Sequence, residues 1–123
     1  MSSKTILIID DSNTNLVLLE SLFKRSGYSV HSASSAKEGL KTLENKQPDL
    51  IYLDLIMPDV DGFDFIRMLR KNSDWKDIPV VILSAVNEEE VISRSIELGA
   101  RDYLTKPLNI KYVMSLTENI LSN

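Results

Sequence analysis

Residues 50–54 are LIYLD, a continuous apolar run that ends in an aspartate. Three other segments have the same form: Ile6–Ile9 precedes two aspartates, Val80–Leu83 precedes a serine, and Tyr103–Thr105 precedes a lysine. Continuous apolar runs are typical of strands that helices cover on both faces. Because the carboxyl ends of parallel strands open onto one crevice, the sequence predicts an α/β fold in which these polar residues converge.

Helix-period segments separate the apolar runs, with one strand about every 20 to 25 residues, as in repeated βα units. The segment Tyr28–Ala33 alternates apolar and polar residues, and the last strand is short, so both are predicted at the sheet edges. Short right-handed crossovers then favour the order 2-1-3-4-5, a doubly wound, flavodoxin-like parallel sheet of five strands with five helices. Since no linker interrupts the pattern, we expect residues 1–123 to form a single domain.

Polar residues and glycines mark the predicted helix ends. Ser35, with a glutamate three residues later, has the form of a capping box, and Asn87 repeats this pattern. Gly27 and Gly99 are predicted to end two helices. Asn109 is predicted to cap the last helix, whose inward face would comprise Ile110, Val113, Met114 and Leu121.

Composition and charge exclude several classes of protein. With 43% hydrophobic and 26% charged residues the chain is typical of a globular domain. It contains no cysteine, which excludes disulfides and thiolate metal sites and is consistent with a cytoplasmic location. A net charge of −4, with no basic cluster beyond residues 67–71, argues against direct binding of nucleic acid. No apolar run approaches the length that spans a membrane, so we expect neither export nor membrane association.

Three carboxylates are predicted in the crevice, from Asp10, Asp11 and Asp54. At a low effective dielectric they repel one another, so they must be protonated, be solvated or share a cation. Oxygen ligands favour Mg²⁺ or Mn²⁺, and Mg²⁺ keeps water ligands that a phosphate can replace. Together with the hydroxyl of Ser84 and the ammonium of Lys106, these carboxylates predict a site for a divalent cation and a phosphoryl group.

Each candidate residue also has a purely structural interpretation. Asp11, Ser12 or Asn13 could cap the first helix, and the Ser84 hydroxyl could bond only to the backbone. Lys106 could be an exposed charge, and Tyr103 a packing residue on an edge strand. The set as a whole favours a functional site, because the turn that follows Asp54 already has its proline and glycine.

The motifs resemble those of response-regulator receiver domains, the phosphoacceptors of two-component signalling, of which the chemotaxis receiver is an example. The resemblance extends from Lys4 to the last helix and rests on Asp10-Asp11, Asp54 with Met57-Pro58, Asp61-Gly62, Ser84-Ala85 and the segment Gly99–Pro107. It implies a signalling protein that assists its own phosphorylation and dephosphorylation without being a conventional enzyme. Its partners would be a sensor histidine kinase or phosphotransfer protein, and a downstream protein target or output domain.

The resemblance implies roles for the residues of the cation site. Asp54 would be the nucleophile that becomes phosphorylated. Asp11 and Asp54 would bind Mg²⁺ directly, with Mn²⁺ as a possible substitute, while Asp10 would act through a water molecule and Ile56 through its backbone carbonyl. Lys106 would offset charge on the transferring phosphoryl oxygens, and its peptide bond to the following proline would be cis.

The resemblance also implies a conformational switch. The Ser84 hydroxyl and the Ala85 amide would move inward to bind the phosphoryl group. Tyr103 would then rotate inward and alter the surface formed by the fourth helix, the fifth strand and the fifth helix. This surface would be the face that contacts the downstream partner.

Other functions fit only part of the pattern. A haloacid-dehalogenase-type enzyme needs a second aspartate two residues after its nucleophile, where this chain has Ile56. A flavodoxin-like FMN carrier needs a Ser/Thr/Gly loop after the first strand, where Asp10-Asp11 would repel a phosphate. A receiver-like interaction module that is never phosphorylated is the third alternative. Phosphorylation by acetyl phosphate would distinguish all three.

Two positions depart from several members of the family. Ile56 and Val86 lie two residues after the candidate nucleophile and two residues after the switch hydroxyl, where those members carry polar side chains. We expect the apolar side chains to shield the phosphoryl group and to offer nothing that orients an attacking water, so the phosphoaspartate would be long-lived. The last helix also lacks the basic, charge-paired pattern common in DNA-binding regulators, which disfavours a parent protein of that kind.

Overall fold

A computed structural model describes residues 3–122; residues 1, 2 and 123 of the predicted domain lie outside the described part. Five strands and five helices alternate over these residues: β1 (Thr5–Ile9), α1 (Asn13–Arg25), β2 (Ser29–Ala33), α2 (Ala36–Asn45), β3 (Leu50–Asp54), α3 (Gly62–Lys71), β4 (Val80–Ser84), α4 (Glu89–Glu97), β5 (Asp102–Thr105) and α5 (Ile110–Leu121). The five strands pair in parallel in the order β2-β1-β3-β4-β5, which confirms the predicted flavodoxin-like sheet.

The sheet separates two apolar layers because successive side chains of each strand point to opposite faces. Leu7 and Ile51 face the layer covered by α2, α3 and α4. Ile6 and Tyr52 face the layer covered by α1 and α5, where the Tyr52 ring stacks on Phe23 with 5.4 Å between ring centroids. Strands β1, β3 and β4 are buried along their whole length, whereas β2 is mostly half-buried, as expected for an edge strand. Burying one such side chain contributes about 1.5–3 kcal/mol to the free energy of unfolding. The packed strands therefore hold the residues at their ends in fixed positions.

The observed helix ends confirm most of the predicted caps. Ser35 Oγ accepts a hydrogen bond from the Glu38 amide, although the Glu38 carboxylate bonds back to Ser34 instead of to Ser35. Asn109 caps α5 through the Tyr112 amide. Gly27 and Gly99 follow α1 and α4 with φ angles of +94° and +110°, a conformation that glycine adopts without strain.

The cap predicted at Asn87 is wrong. Helix α4 begins at Glu89, so Glu88 occupies the capping position, and its side chain makes no capping hydrogen bond. Asn87 therefore lies one residue too far upstream to cap the helix. The acidic side chains of Glu89 and Glu90 in the first turn supply a favourable interaction with the helix dipole instead.

The inward face of α5 was predicted only in part. Val113 and Leu121 are buried as expected, whereas Ile110 and Met114 are half-buried. Thr117, which was not among the predicted inward residues, is fully buried, and its hydroxyl donates to the Val113 carbonyl and pairs with the Tyr52 hydroxyl. Between residues 3 and 122, no helix combines the length and apolarity needed to cross a bilayer.

Candidate functional site

Three carboxylates meet at the carboxyl ends of two neighbouring strands. Asp10 and Asp11 follow β1, Asp54 is the last residue of β3, and these strands pair directly. One carboxylate oxygen from each residue lies within 4.8 Å of the others. Asp10 and Asp54 are buried and Asp11 is exposed, so the cluster opens to solvent on the Asp11 side. The predicted acidic cluster is therefore present.

The start of α1 orients Asp10. Its Oδ1 accepts a hydrogen bond from the Ser12 amide at 2.9 Å, and its Oδ2 accepts one from the Asn15 side chain at 3.3 Å. Ser12 itself caps α1 by accepting from the Asn15 amide at 3.3 Å. Of the three residues that could have capped this helix, Ser12 does so, and the Asp11 carboxylate belongs to the acidic cluster instead.

Lys106 joins the two buried carboxylates. Its Nζ lies 3.2 Å from Asp10 Oδ2 and 3.5 Å from Asp54 Oδ2, and only 21% of its side chain is exposed. The Lys106 amide donates to the Ser84 carbonyl at 2.7 Å, which fixes the start of the side chain at the end of the sheet. The Lys106–Pro107 peptide bond is cis, as the resemblance implied. Lys106 is thus an internal counter-charge and not an exposed surface charge.

The pKa of Asp54 is raised from 3.8 to about 7. The main cause is burial of the carboxyl group, and the second is repulsion from Asp10. The Lys106 ammonium and a 3.2 Å hydrogen bond from the Ile56 amide act in the opposite direction. Ionising Asp54 near neutral pH is therefore costly unless a further positive charge is present. The cluster offers a few carboxylate oxygens and is open to water on one side. Such a ligand set suits Mg²⁺, which binds hard oxygen ligands and keeps several water molecules.

The loop after β3 carries the other predicted ligand, the Ile56 carbonyl. The amide of Ile56 bonds to Asp54 Oδ1, so this residue lies next to the cluster. A short antiparallel bridge joins Ile56 to Asp61, which caps α3 through the Phe63 amide at 2.8 Å. Gly62 is required here because a Cβ would lie 2.4 Å from the Leu55 carbonyl oxygen.

The predicted switch residues lie on the neighbouring strands. Ser84 ends β4, is 1% exposed, and accepts a hydrogen bond from the Val86 amide at 3.1 Å. Ala85 follows it and is exposed. Tyr103, on β5, is 9% exposed and donates its hydroxyl hydrogen to the Val86 carbonyl at 2.6 Å. The backbone of Val86 therefore connects the serine to the tyrosine, a link that strand-end patterns could not show.

Tyr103 occupies an inward position in the structure. The resemblance implied that this ring rotates inward after phosphorylation, but the ring is already buried in the structure. Its hydroxyl bond to Val86 fixes this inward position. Rotation of Tyr103 upon phosphorylation stays a prediction.

The two apolar positions singled out in the sequence line one groove beside Asp54. The groove has a volume of about 430 Å³, and both Ile56 and Val86 belong to its walls. Ile56 is 61% exposed there. The groove begins at Leu55, the residue after the phosphoacceptor candidate, and Asp54 itself is not one of its lining residues. The remaining walls come from the loop after β3 and from Phe63 and Val91.

Comparison with known proteins assigns the family. Residues 6–118 match the model for the response regulator receiver domain. The chain therefore belongs to the response-regulator receiver family, whose members act as phosphoacceptor switches in two-component signalling. Nothing in the comparisons favours a module that is not phosphorylated.

Individual relatives agree with this assignment. The chain is 39% identical over 119 residues to the alkaline phosphatase synthesis transcriptional regulatory protein PhoP of Bacillus subtilis, covering 97% of this chain and 49% of PhoP. It is 32% identical over 117 residues to protein PilH of Pseudomonas aeruginosa, covering 95% of this chain and 97% of PilH. The chemotaxis protein CheY4 of Vibrio cholerae superposes with a TM-score of 0.90 at 26% identity, over 98% of this chain and 100% of CheY4. The chain thus spans about half the length of PhoP, a transcriptional regulator, and nearly the whole of PilH.

Proposed function

We propose that residues 1–123 form one receiver domain that accepts a phosphoryl group on Asp54 in a Mg²⁺-dependent reaction and thereby alters a partner-binding surface. The observation that carries this proposal is the convergence of Asp10, Asp11, Asp54 and Lys106 at one end of the sheet. Its chemistry matches that of phosphoryl transfer, in which positioning and charge compensation dominate catalysis.

The nucleophile is the ionised carboxylate of Asp54. One of its oxygens forms a bond to the phosphorus of a phosphohistidine or a small acyl phosphate. The P–N or P–O bond of the donor breaks, and its electron pair leaves with the donor. No general base is needed, because an ionised carboxylate has no proton to lose.

The cation site would be formed by Asp10, Asp11, Asp54 and the Ile56 carbonyl. When bound there, Mg²⁺ would offset negative charge on the phosphoryl oxygens and on the carboxylates, and Mn²⁺ could replace it. Lys106 supplies a second positive charge from the carboxyl end of β5, held in place by its ion pair with Asp10. This charge balance makes ionised Asp54 available at neutral pH.

The switch begins at Ser84. Its hydroxyl and the Ala85 amide would bind the new phosphoryl oxygens. The Val86 amide donates a hydrogen bond to the Ser84 hydroxyl, and the Val86 carbonyl accepts one from the Tyr103 hydroxyl. A movement of the loop after β4 would therefore change the orientation of the Tyr103 side chain. The face of α4, β5 and α5 would change as a result, and this is the proposed contact for the downstream partner.

The proposed partners are a sensor histidine kinase or phosphotransfer protein upstream, and a protein target or output domain downstream. The proposed location is the cytoplasm, where such kinases present their phosphohistidine. The chain itself is proposed not to contact nucleic acid or a membrane, since its net charge is −4. The domain would also assist hydrolysis of its own phosphoaspartate.

Acetyl phosphate with Mg²⁺, followed by intact mass spectrometry, tests the proposal. The wild type should gain one phosphoryl group, and so should Asp74→Asn, a control that alters an exposed aspartate outside the site. Asp54→Asn, or removal of Mg²⁺ with a chelator, should abolish the gain. Asp11→Asn should slow it by weakening the metal site. Phosphorylation of Asp54→Asn at the wild-type rate would show that the assignment is wrong.

A further inference from the structure

The loop between β3 and α3, residues 55–61, starts directly after the proposed nucleophile. Its base is closed by contacts within the loop region. The Gly62 amide donates to the Leu55 carbonyl at 3.0 Å, and Ile56 pairs with Asp61. These contacts join the two ends of the loop, so a further contact is needed to fix its tip.

Asp59, at the tip of this loop, contacts α2. Its carboxylate accepts hydrogen bonds from the Ala36 amide at 3.3 Å and from the Lys37 amide at 3.1 Å. These residues are the first two of α2, and their N–H groups have no acceptor inside the helix. Ser35 satisfies a different donor, the Glu38 amide. Helix α2 therefore has one cap from its own sequence and a second from the β3–α3 loop.

The second cap anchors the loop tip to a packed element. A carboxylate at a helix N-terminus gains from charge-assisted hydrogen bonds and from the helix dipole. The helix it contacts is fixed to the core through the buried residues Ala36 and Leu43. The loop is thus held at its base by its own backbone and at its tip by α2.

We propose that Asp59 is a positioning residue for the metal and phosphoacceptor site, an inference that rests on the function proposed above. Asp59 acts through the loop and not on the metal or the phosphoryl group. By holding the tip, it stabilises the loop conformation in which the Ile56 amide bonds to Asp54 Oδ1 at 3.2 Å. Without it, the loop occupies that conformation for a smaller fraction of the time, and Mg²⁺ affinity falls by the same factor.

Two alanine variants separate positioning from simple helix capping. Asp59→Ala removes the cap that links α2 to the loop, whereas Ser35→Ala removes a cap of the same helix end that stays within α2. Both should lower the melting temperature to a similar extent. Calorimetric titration should show Mg²⁺ binding weaker by up to about fivefold in Asp59→Ala, the upper limit set by losing one helix cap, and changed less than about twofold in Ser35→Ala.

The conservative variant Asp59→Asn keeps one acceptor oxygen and loses the charge, so its affinity should lie between those of the wild type and Asp59→Ala. Equal losses of Mg²⁺ affinity in Asp59→Ala and Ser35→Ala would overturn the proposal, because capping alone would explain them. Unchanged affinity in both Asp59 variants would overturn it as well. A wild type that binds no Mg²⁺ would overturn the proposed function along with this inference.

Amide hydrogen exchange provides a readout independent of phosphorylation. Without Mg²⁺, the Ile56 amide should exchange faster in Asp59→Ala than in Ser35→Ala. Because coupling between sites is reciprocal, Mg²⁺ should slow exchange of the Ala36 and Lys37 amides in the wild type, and this protection should disappear in Asp59→Ala. Mg²⁺-dependent protection that persists in Asp59→Ala would contradict the proposed link.

Discussion

Lys106 Nζ lies 3.5 Å from Asp54 Oδ2, although the lysine follows β5, the aspartate ends β3, and β4 runs between them. The lysine side chain therefore reaches across the end of β4. It also contacts Asp10, on the far side of β3, at 3.2 Å. A single ammonium group thus compensates two buried carboxylates that come from different strands.

Replacement of Lys106 by methionine should slow phosphorylation by acetyl phosphate at least tenfold, a loss of about 1.4 kcal/mol of transition-state stabilisation. The reason is that the variant keeps the aliphatic stem and loses the charge near the transferring oxygens. Intact mass spectrometry over time would measure the rate. Lys111→Met, at an exposed position of α5, is the matched control and should react as the wild type does. Equal rates for all three proteins would mean that the ammonium has no part in the transfer.

The raised pKa of Asp54 makes the stability of the metal-free protein depend on pH. Between about pH 4 and the folded-state value of about 7, the folded protein holds this proton more tightly than the unfolded chain does. The contribution of the Asp54 carboxyl to the free energy of unfolding is therefore fully present below about pH 4. It is lost as the pH rises through about 7. In urea unfolding at about pH 8, metal-free Asp54→Asn should be more stable than the wild type, by on the order of 2 kcal/mol, and the difference should vanish near pH 4.

Magnesium should reduce this difference at high pH. A cation shared by the three carboxylates offsets their mutual repulsion, which Asp54→Asn reduces by removing one negative charge. Binding of the cation also stabilises the folded state by mass action. The gain in melting temperature with Mg²⁺ should thus be larger in the wild type than in Asp54→Asn, and larger at about pH 8 than at about pH 5. Parallel stability profiles of the two proteins across this range would argue against a raised pKa at Asp54.

Ser84→Ala should leave phosphorylation intact and weaken its effect on the partner-binding face. The variant removes the acceptor for the Val86 amide, which is the first step of the path to Tyr103. Chemical shifts of α4 amides, measured before and after addition of beryllofluoride, should change less in the variant than in the wild type. Ser93→Ala, at an exposed position on α4, is the control for a simple loss of a hydroxyl. Wild-type α4 shifts that do not respond to beryllofluoride would refute the proposed switch.

The double replacement of Ile56 by asparagine and Val86 by glutamate should accelerate loss of the phosphoryl group. Both side chains line the groove next to Asp54, so polar replacements would admit and orient a water molecule there. We expect decay faster by about one to two orders of magnitude, which corresponds to about 1.4 kcal/mol per tenfold. The decay of purified phosphoprotein in excess Mg²⁺ measures this rate. If the double variant decays no faster than the parent, apolar shielding does not determine the lifetime.

The carboxyl ends of the strands could be predicted because the signal is local. Each apolar run of the sheet centre ends at a polar residue, and parallel pairing brings those ends together regardless of loop detail. The positions of Asp54 and Lys106 at this edge of the sheet could therefore be predicted from the sequence. The inward orientation of the Tyr103 ring could not be predicted from the sequence, because it depends on one hydrogen bond to the Val86 carbonyl.

The contacts that the sequence did not predict join distant parts of the chain. Thr117 is buried because Tyr52 offers it a partner on β3, and hydrophobicity alone places a threonine outside. The contact of Asp59 with α2 depends on where the tip of a loop lies. Its only sequence signal is a second acidic residue two positions before Asp61, which is common in turns. Such pairings follow from tertiary packing and leave no periodic pattern.

The phosphorylated residue can be identified chemically. Borohydride reduces an aspartyl phosphate to homoserine, so peptide mass spectrometry after reduction identifies the modified position directly. After treatment with acetyl phosphate and Mg²⁺, the wild type should contain homoserine at position 54 and aspartate at positions 10 and 11. Homoserine at position 10 or 11, or a phosphate that survives reduction on a serine or threonine, would contradict the proposed function.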